Sequence, residues 1–161
     1  MKATFVALFF LTATFAVAAD QQTFVRDFYA AYTGRDAARL AQFYTTDATF
    51  FDPSFELDLK GVDQIRDLFT KVFPKYESLD FQISHQIPVG DDLVVEGIMI
   101  GKIKDKTLRV PFVSIFHFRG GKIASQRDMF DVAHFLSQLG VIPPPFGPKP
   151  TATPSATPAT E

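Results

Sequence analysis

Apolar positions recur every three or four residues in the first half of the chain and every second residue in the later part, which predicts helices followed by strands. Across residues 23–32, Phe24, Phe28 and Tyr32 lie four apart with Val25 and Tyr29 beside them. That spacing gives a helix with one wide apolar face, ended by Gly34. Asp36 suits the N-cap of a second helix running through Tyr44, whose Leu40, Ala41, Phe43 and Tyr44 continue the apolar stripe. The run ATFFD at 48–52, closed by Pro53, predicts a short strand. The clearest helix follows, with Val62, Ile65, Leu68, Phe69, Val72 and Phe73 on one face until Pro74 stops it.

Only strands come next. Leu79, Phe81, Ile83, His85 and Ile87 alternate with polar neighbours, and Gly90-Asp91-Asp92 turns the chain into a strand over 93–103. Lys104-Asp105-Lys106 leads to a strand over 108–119, and Gly120-Gly121 fits a two-residue hairpin to 122–131. Helices first and an antiparallel meander after predict an α+β domain.

Both ends differ in composition from this middle. Lys2 precedes an uncharged run, residues 3–19, which closes on small side chains with Ala16-Val17-Ala18, the pattern of a secretory signal peptide. The expected organisation is a signal peptide at 1–18, a folded domain at 19–141 and an extended tail at 142–161. That tail carries seven of the eleven prolines among Thr, Ser and Ala. Cleavage predicts a secreted or periplasmic protein with no stable membrane insertion.

Loss of Lys2 moves the formal net charge from −2 to −3, a weakly acidic balance that argues against nucleic acid as a partner. With no cysteine, the domain is held by its core rather than by disulfides, and thiol catalysis is excluded. His85, His117 and His134 are too scattered for a local ligand pair, and no phosphate-binding glycine motif occurs, so neither a metal nor a cofactor is expected.

The best chemical clue lies where the last strand ends. An apolar hairpin delivers a carboxylate, Asp131, beside Phe130 and then enters a helix, which places an ionisable group at an apolar wall. Burial there would raise its pKa toward a range useful for proton transfer, although Asp at a strand-to-helix junction is also a preferred N-cap. Glu96 shares a strand phase with Ile98 and Ile100 and either points into the same interior or faces solvent. His85 belongs to the apolar face of its strand, as a core histidine or an acid/base group, and His117 faces away from Phe116 and Phe118.

The helix order, the Asp52-Pro53 pair, the FHFRGGKI hairpin and the RDMFD segment leading to a helix ending QLG resemble the SnoaL-like polyketide cyclase family of the nuclear-transport-factor-two-like superfold. The resemblance covers roughly residues 24–140. It implies a cone-shaped, curved, mixed or antiparallel sheet wrapped on a long N-terminal helix, enclosing an apolar pocket, and a homodimer through the outer sheet face. It further implies a small hydrophobic ligand and cofactor-independent isomerase, cyclase or hydratase chemistry, with non-catalytic binding or dimerisation as the alternative.

By position, Asp131 resembles the acid/base carboxylate of such cyclases and of limonene epoxide hydrolases. Asp52 resembles the proton-shuttling aspartate of ketosteroid isomerases, although Asp-Pro is also an ordinary turn starter. Phe28, Tyr32, Phe69, Glu96, Ile98, Ser114, Phe116 and Phe130 are the expected pocket residues. Two departures stand out. Phe28 and Ser114 occupy the places where ketosteroid isomerases carry an oxyanion-binding tyrosine and acid, and Ile98-Met99-Ile100 replaces the arginine–aspartate relay of the epoxide hydrolases.

Overall fold

A computed structural model describes residues 12–144, with side chains from Gln22 onward. Most of the expected signal peptide and of the proline-rich tail lies outside these residues. The first helix, α1 (Thr12–Thr33), is followed by the short α2 (Ala37–Ala41), which Asp36 caps by accepting the Arg39 N–H at 2.9 Å. Then come β1 (Tyr44–Asp52), β2 (Leu57–Lys60), α3 (Val62–Val72) and a 3-10 turn over Phe73–Lys75, where Pro74 ends the helix. Four long strands complete the sheet: β3 (Ser78–Val89), β4 (Asp92–Ile103), β5 (Lys106–Arg119) and β6 (Lys122–Phe130). The last element is α4 (Val132–Gln138).

The predicted second helix is therefore too long. Phe43 already offers its carbonyl to the Ile123 N–H at 2.8 Å, and Tyr44 begins β1 rather than ending α2. Tyr44-Thr45-Thr46 favours a strand because ring and β-branched side chains pack well on a pleated surface. The four-residue β2, unpredicted, pairs antiparallel with the end of β1 and turns Leu57 and Leu59 toward the core.

The strands form one sheet in the order β2-β1-β6-β5-β4-β3. The meander β3 to β6 is antiparallel as predicted, and the single parallel pairing, β1 beside β6, makes the sheet mixed. At the β5–β6 turn Arg119 pairs with Lys122 across Gly120 and Gly121, at φ 61° and 74°. Two successive positive φ values are what a tight type I′ hairpin requires, and glycine adopts them without strain.

The inner face of the sheet packs against α1 and α3, and the core between them is largely aromatic. Phe28, fully buried, has Phe24, Tyr29, Phe43 and Phe116 around it with ring centroids 5.2–5.6 Å away. Gly97, on the inner face of β4, makes room for this packing. A Cβ there would lie 2.5 Å from the Gln82 carbonyl oxygen and 3.0 Å from the Phe112 ring. Gly97→Ala is accordingly expected to cost roughly 1–3 kcal/mol, the range for overpacking a tight interior, measured as a lowered urea midpoint.

Two bulges set which side chains face inward. On β3 the register slips between Ile83 and His85, so Ile83 lies opposite Gly97 while His85 lies opposite Glu96. A one-residue slip exchanges the faces. His85 is thus on the outside, exposed, with Nδ1 3.1 Å from Glu96, instead of on the apolar face. Beyond the slip Ile87 is turned out as well and is 52% exposed. The second bulge is on β6, where Ala124 is the extra residue between Ile123, opposite Phe118, and Ser125, opposite His117; His117 faces out, as expected, and meets Asp92 at 2.7 Å.

Candidate active site

Between the inner sheet face, α1 and α3 lies a cavity of about 850 Å³ with mainly apolar walls. Pockets of this size take small organic molecules, and a few polar groups in an apolar wall fix their orientation. Phe28 and Tyr32 reach it from α1, Phe69 from α3, Asp52 from the end of β1, Ser114 from β5 and Phe130 from β6. These six predicted residues come together.

Four others do not. Asp131 is exposed and caps α4, its Oδ1 accepting the His134 N–H at 2.9 Å. Phe130 looks into the cavity, and consecutive strand residues point to opposite faces, so the acid beside it is turned outward. Replacing Asp131 by Ala should therefore lower stability by about 1 kcal/mol, the usual value of an N-cap, and leave ligand affinity of the cavity unchanged by calorimetry. Glu96 and Ile98 also sit on the outer face of β4, because the inner set is Leu93, Val95, Gly97 and Met99. Phe116 is fully buried but lies behind the cavity, in the aromatic wall against Phe24 and Phe28.

The acid that does face the cavity is Asp128, which was not among the expected site residues. It sits on β6 directly opposite Ser114. Ser114 Oγ donates to Asp128 Oδ1 at 2.7 Å, and Gln126 Nε2 donates to Oδ1 at 2.8 Å and Oδ2 at 2.9 Å. Gln126 is itself fixed by the buried Tyr44 hydroxyl, which donates to its Oε1. The chain of contacts Tyr44–Gln126–Asp128–Ser114 engages both oxygens of the Asp128 carboxyl. Such a network orients a carboxylate at the wall of an apolar space.

Burial is the main influence on this group, pushing the Asp128 carboxyl up to about 6; the Ser114 and Gln126 hydrogen bonds pull it down in part, and the charge of nearby Asp52 raises it further. The side chain meets solvent only partly, on its cavity side. Asp52 is also raised, again mainly by burial, against the opposing hydrogen bond from the Ser54 N–H at 2.8 Å. Two cavity carboxyls whose neutral forms are easier to reach than those of free acids are an arrangement suited to proton transfer.

Tyr29 adds a donor. Its hydroxyl is buried with no partner in hydrogen-bonding geometry, although Ser114 is close enough to ease its deprotonation slightly. Burial and the Asp128 charge nevertheless hold the phenol well above its ordinary value, so it stays a neutral O–H. An unpaired buried hydroxyl is costly unless something fills the position facing it. Tyr32, also on the cavity, is raised mainly by burial in the same way.

Solved structures share this architecture. A protein of ketosteroid-isomerase-like fold from Catenulispora acidiphila, in complex with trimethylamine, superposes with a TM-score of 0.68 at 25% identity, covering 73% of this chain and 92% of that one. A protein assigned to the SnoaL-like polyketide cyclases, from Shewanella denitrificans, gives 0.68 at 21% identity over 77% and 98% of the two chains. An epoxide hydrolase of the limonene-epoxide-hydrolase-like type from M. tuberculosis gives 0.65 at 17% identity over 75% and 90%. No curated protein sequence matches. The SnoaL-like domain matches residues 25–126, well over half of the chain. With that match and the curved mixed sheet around an acid-bearing apolar cavity, the chain belongs to the SnoaL-like domain family.

Proposed function

We propose that this is an exported, cofactor-independent acid–base enzyme acting on a small hydrophobic molecule, with Asp128 as its general base. The observation that supports this most directly is a hydrogen-bonded carboxyl, raised to about 6, facing an apolar cavity of about 850 Å³. At neutral pH roughly nine in ten such groups are ionised and able to accept a proton, while the buried neutral form is easy to reach. Oδ1 accepts from both Ser114 and Gln126 while Oδ2 accepts from Gln126 alone, so Oδ2 keeps the freer lone pair for a proton from the ligand.

The reaction class consistent with this is proton removal from carbon beside a carbonyl and its return elsewhere, as in an isomerisation or a cyclisation. Asp52 serves as the second proton carrier. The neutral Tyr29 hydroxyl is the donor toward oxygen that gains negative charge, work done best by a preorganised group in a dry site. Hydration, in which Asp128 would activate a water, uses the same base. The outer sheet face, with Ile98 paired beside Pro111 and Met129 37% exposed, supports the homodimer expected of the family.

The test begins with mass spectrometry of small molecules that co-purify with the protein, followed by a turnover assay on their class. Activity of the wild type should rise with pH through about 6 and level off above, because the base must be ionised. Asp128→Asn should lower kcat/KM by about 10²–10⁴-fold, the usual contribution of a general base. Turnover unchanged in that variant would eliminate the assignment.

A further inference from the structure

The rim of the cavity carries charge of the sign opposite to its interior. Lys75, on the 3-10 turn after α3, and Lys104, on the turn between β4 and β5, both line the opening. Among the described residues neither lies within 4.0 Å of a carboxylate. Glu77 lines the same opening, but its carboxylate is engaged by Lys102 at 2.6 Å, as that of neighbouring Asp105 is by Lys106 at 3.0 Å. Arg35, outside the cavity lining, braces the segment that follows Lys75. It donates to the backbone carbonyls of Tyr76 and Glu77 and likewise pairs with no acid among the described residues. In a chain of net charge −2, two cations without a carboxylate partner at one opening form a local positive field.

Depth separates this rim from the acids. Ser114, the partner of Asp128, is about 26 Å of strand from Lys106 at ~3.3 Å per residue, and Lys104 lies in the turn beyond. Phe112 and Val110 line the cavity along that path. A ligand that touches both ends must be elongated, apolar along its body and anionic at its outer end. An anion at the inner end would meet Asp128 and Asp52 and be repelled.

We propose that the cavity takes a hydrophobic carboxylic acid, its apolar body inside and its carboxylate held at the rim between Lys75 and Lys104. The assignment names the substrate class of the acid–base site and rests on that reading. It places the reacting part of the molecule at the end away from the carboxylate, within reach of Asp128.

Calorimetric titration of the full protein with decanoate and with decan-1-ol, which share an alkyl body, separates the two ideas. At low salt decanoate should bind about tenfold more tightly than decan-1-ol, a preference that shrinks as added salt screens the exposed lysines. In Lys75→Gln/Lys104→Gln, which alters only exposed side chains, that preference should vanish while decan-1-ol binds as before. Equal affinities for the two compounds in the wild type, or a preference that survives in the double variant, would overturn the rim assignment and leave the apolar cavity standing. Binding of neither compound would overturn both.

Discussion

Asp128→Asn is expected to stabilise the folded protein at pH 8, by up to roughly 2–3 kcal/mol, while removing its proposed catalysis. The cause is the displacement of this carboxyl from its ordinary value of 3.8 to about 6. The folded protein binds the proton more tightly than the unfolded chain does, so the carboxyl's favourable contribution is complete below pH 4 and is lost as pH rises through 6. Above that, the native state carries a charge in a place that disfavours it. Asparagine removes the charge and keeps the side-chain shape, and its Oδ1 can still accept from Ser114 and Gln126, which both use that oxygen now. The Asn Nδ2 replaces Oδ2 and faces the Gln126 Nε2 donor, 2.9 Å away in the wild type, so that contact turns from a hydrogen bond into a donor–donor pair and offsets part of the gain.

Urea unfolding of both proteins between pH 4 and 8 would show this directly. The variant's advantage should be small near pH 4 and grow to its full size above pH 7. Exposed acids such as Asp47, held low chiefly by Thr45 and Arg119, titrate identically in both proteins and drop out of the difference. An advantage that does not change with pH, or a variant less stable at pH 8, would mean that the carboxylate is not held in a charge-averse environment. Greater stability joined to lost turnover is the pattern expected when an active-site acid is kept at the cost of folding.

The elements that were legible in the sequence are those decided by local chemistry. Pro74 stops α3, Asp36 caps α2 and Gly120-Gly121 makes the β5–β6 turn, each within a few residues of its own signal. What was not legible depended on register over longer distances. From the tight turn alone, Arg119 opposite Lys122 would continue to Val113 opposite Asp128, with the acid on the outer face. The bulge at Ala124 advances β6 by one residue, sets Asp128 opposite Ser114 and turns it into the cavity. The bulge on β3 does the reverse to His85 and Ile87. Apolar alternation on β4 was ambiguous for another reason: its outer face carries Val94, Ile98 and Ile100, while its inner face gives up size at Gly97 and Gly101 to admit Phe112 and Tyr76. One usable signal was present. With Phe130 taken as a wall, period-two alternation points back to Asp128 and Gln126, two and four residues earlier, and not forward to Asp131.

The second large effect has the opposite sign and comes from the wall rather than the acid. Phe28→Ala should destabilise the protein by about 3–5 kcal/mol, a large part of the 5–15 kcal/mol typical of a domain. Phe28 is fully buried, stacks on Phe24 at 5.3 Å and meets Phe116 edge-on at 5.2 Å, so its truncation removes apolar burial and several oriented ring contacts together. Phe28→Leu retains most of the volume and should cost less than about 1.5 kcal/mol. Comparison of the two by urea denaturation at constant slope separates lost volume from lost ring geometry. Because Phe28 also lines the cavity, the alanine variant leaves extra space open to the ligand site. A hydrophobic ligand long enough to fill that space should recover part of the lost stability by mass action, in proportion to its concentration over its Kd. A loss near 1 kcal/mol in the alanine variant would show that the aromatic cluster closes over the gap, and that the cavity wall is softer than its packing implies.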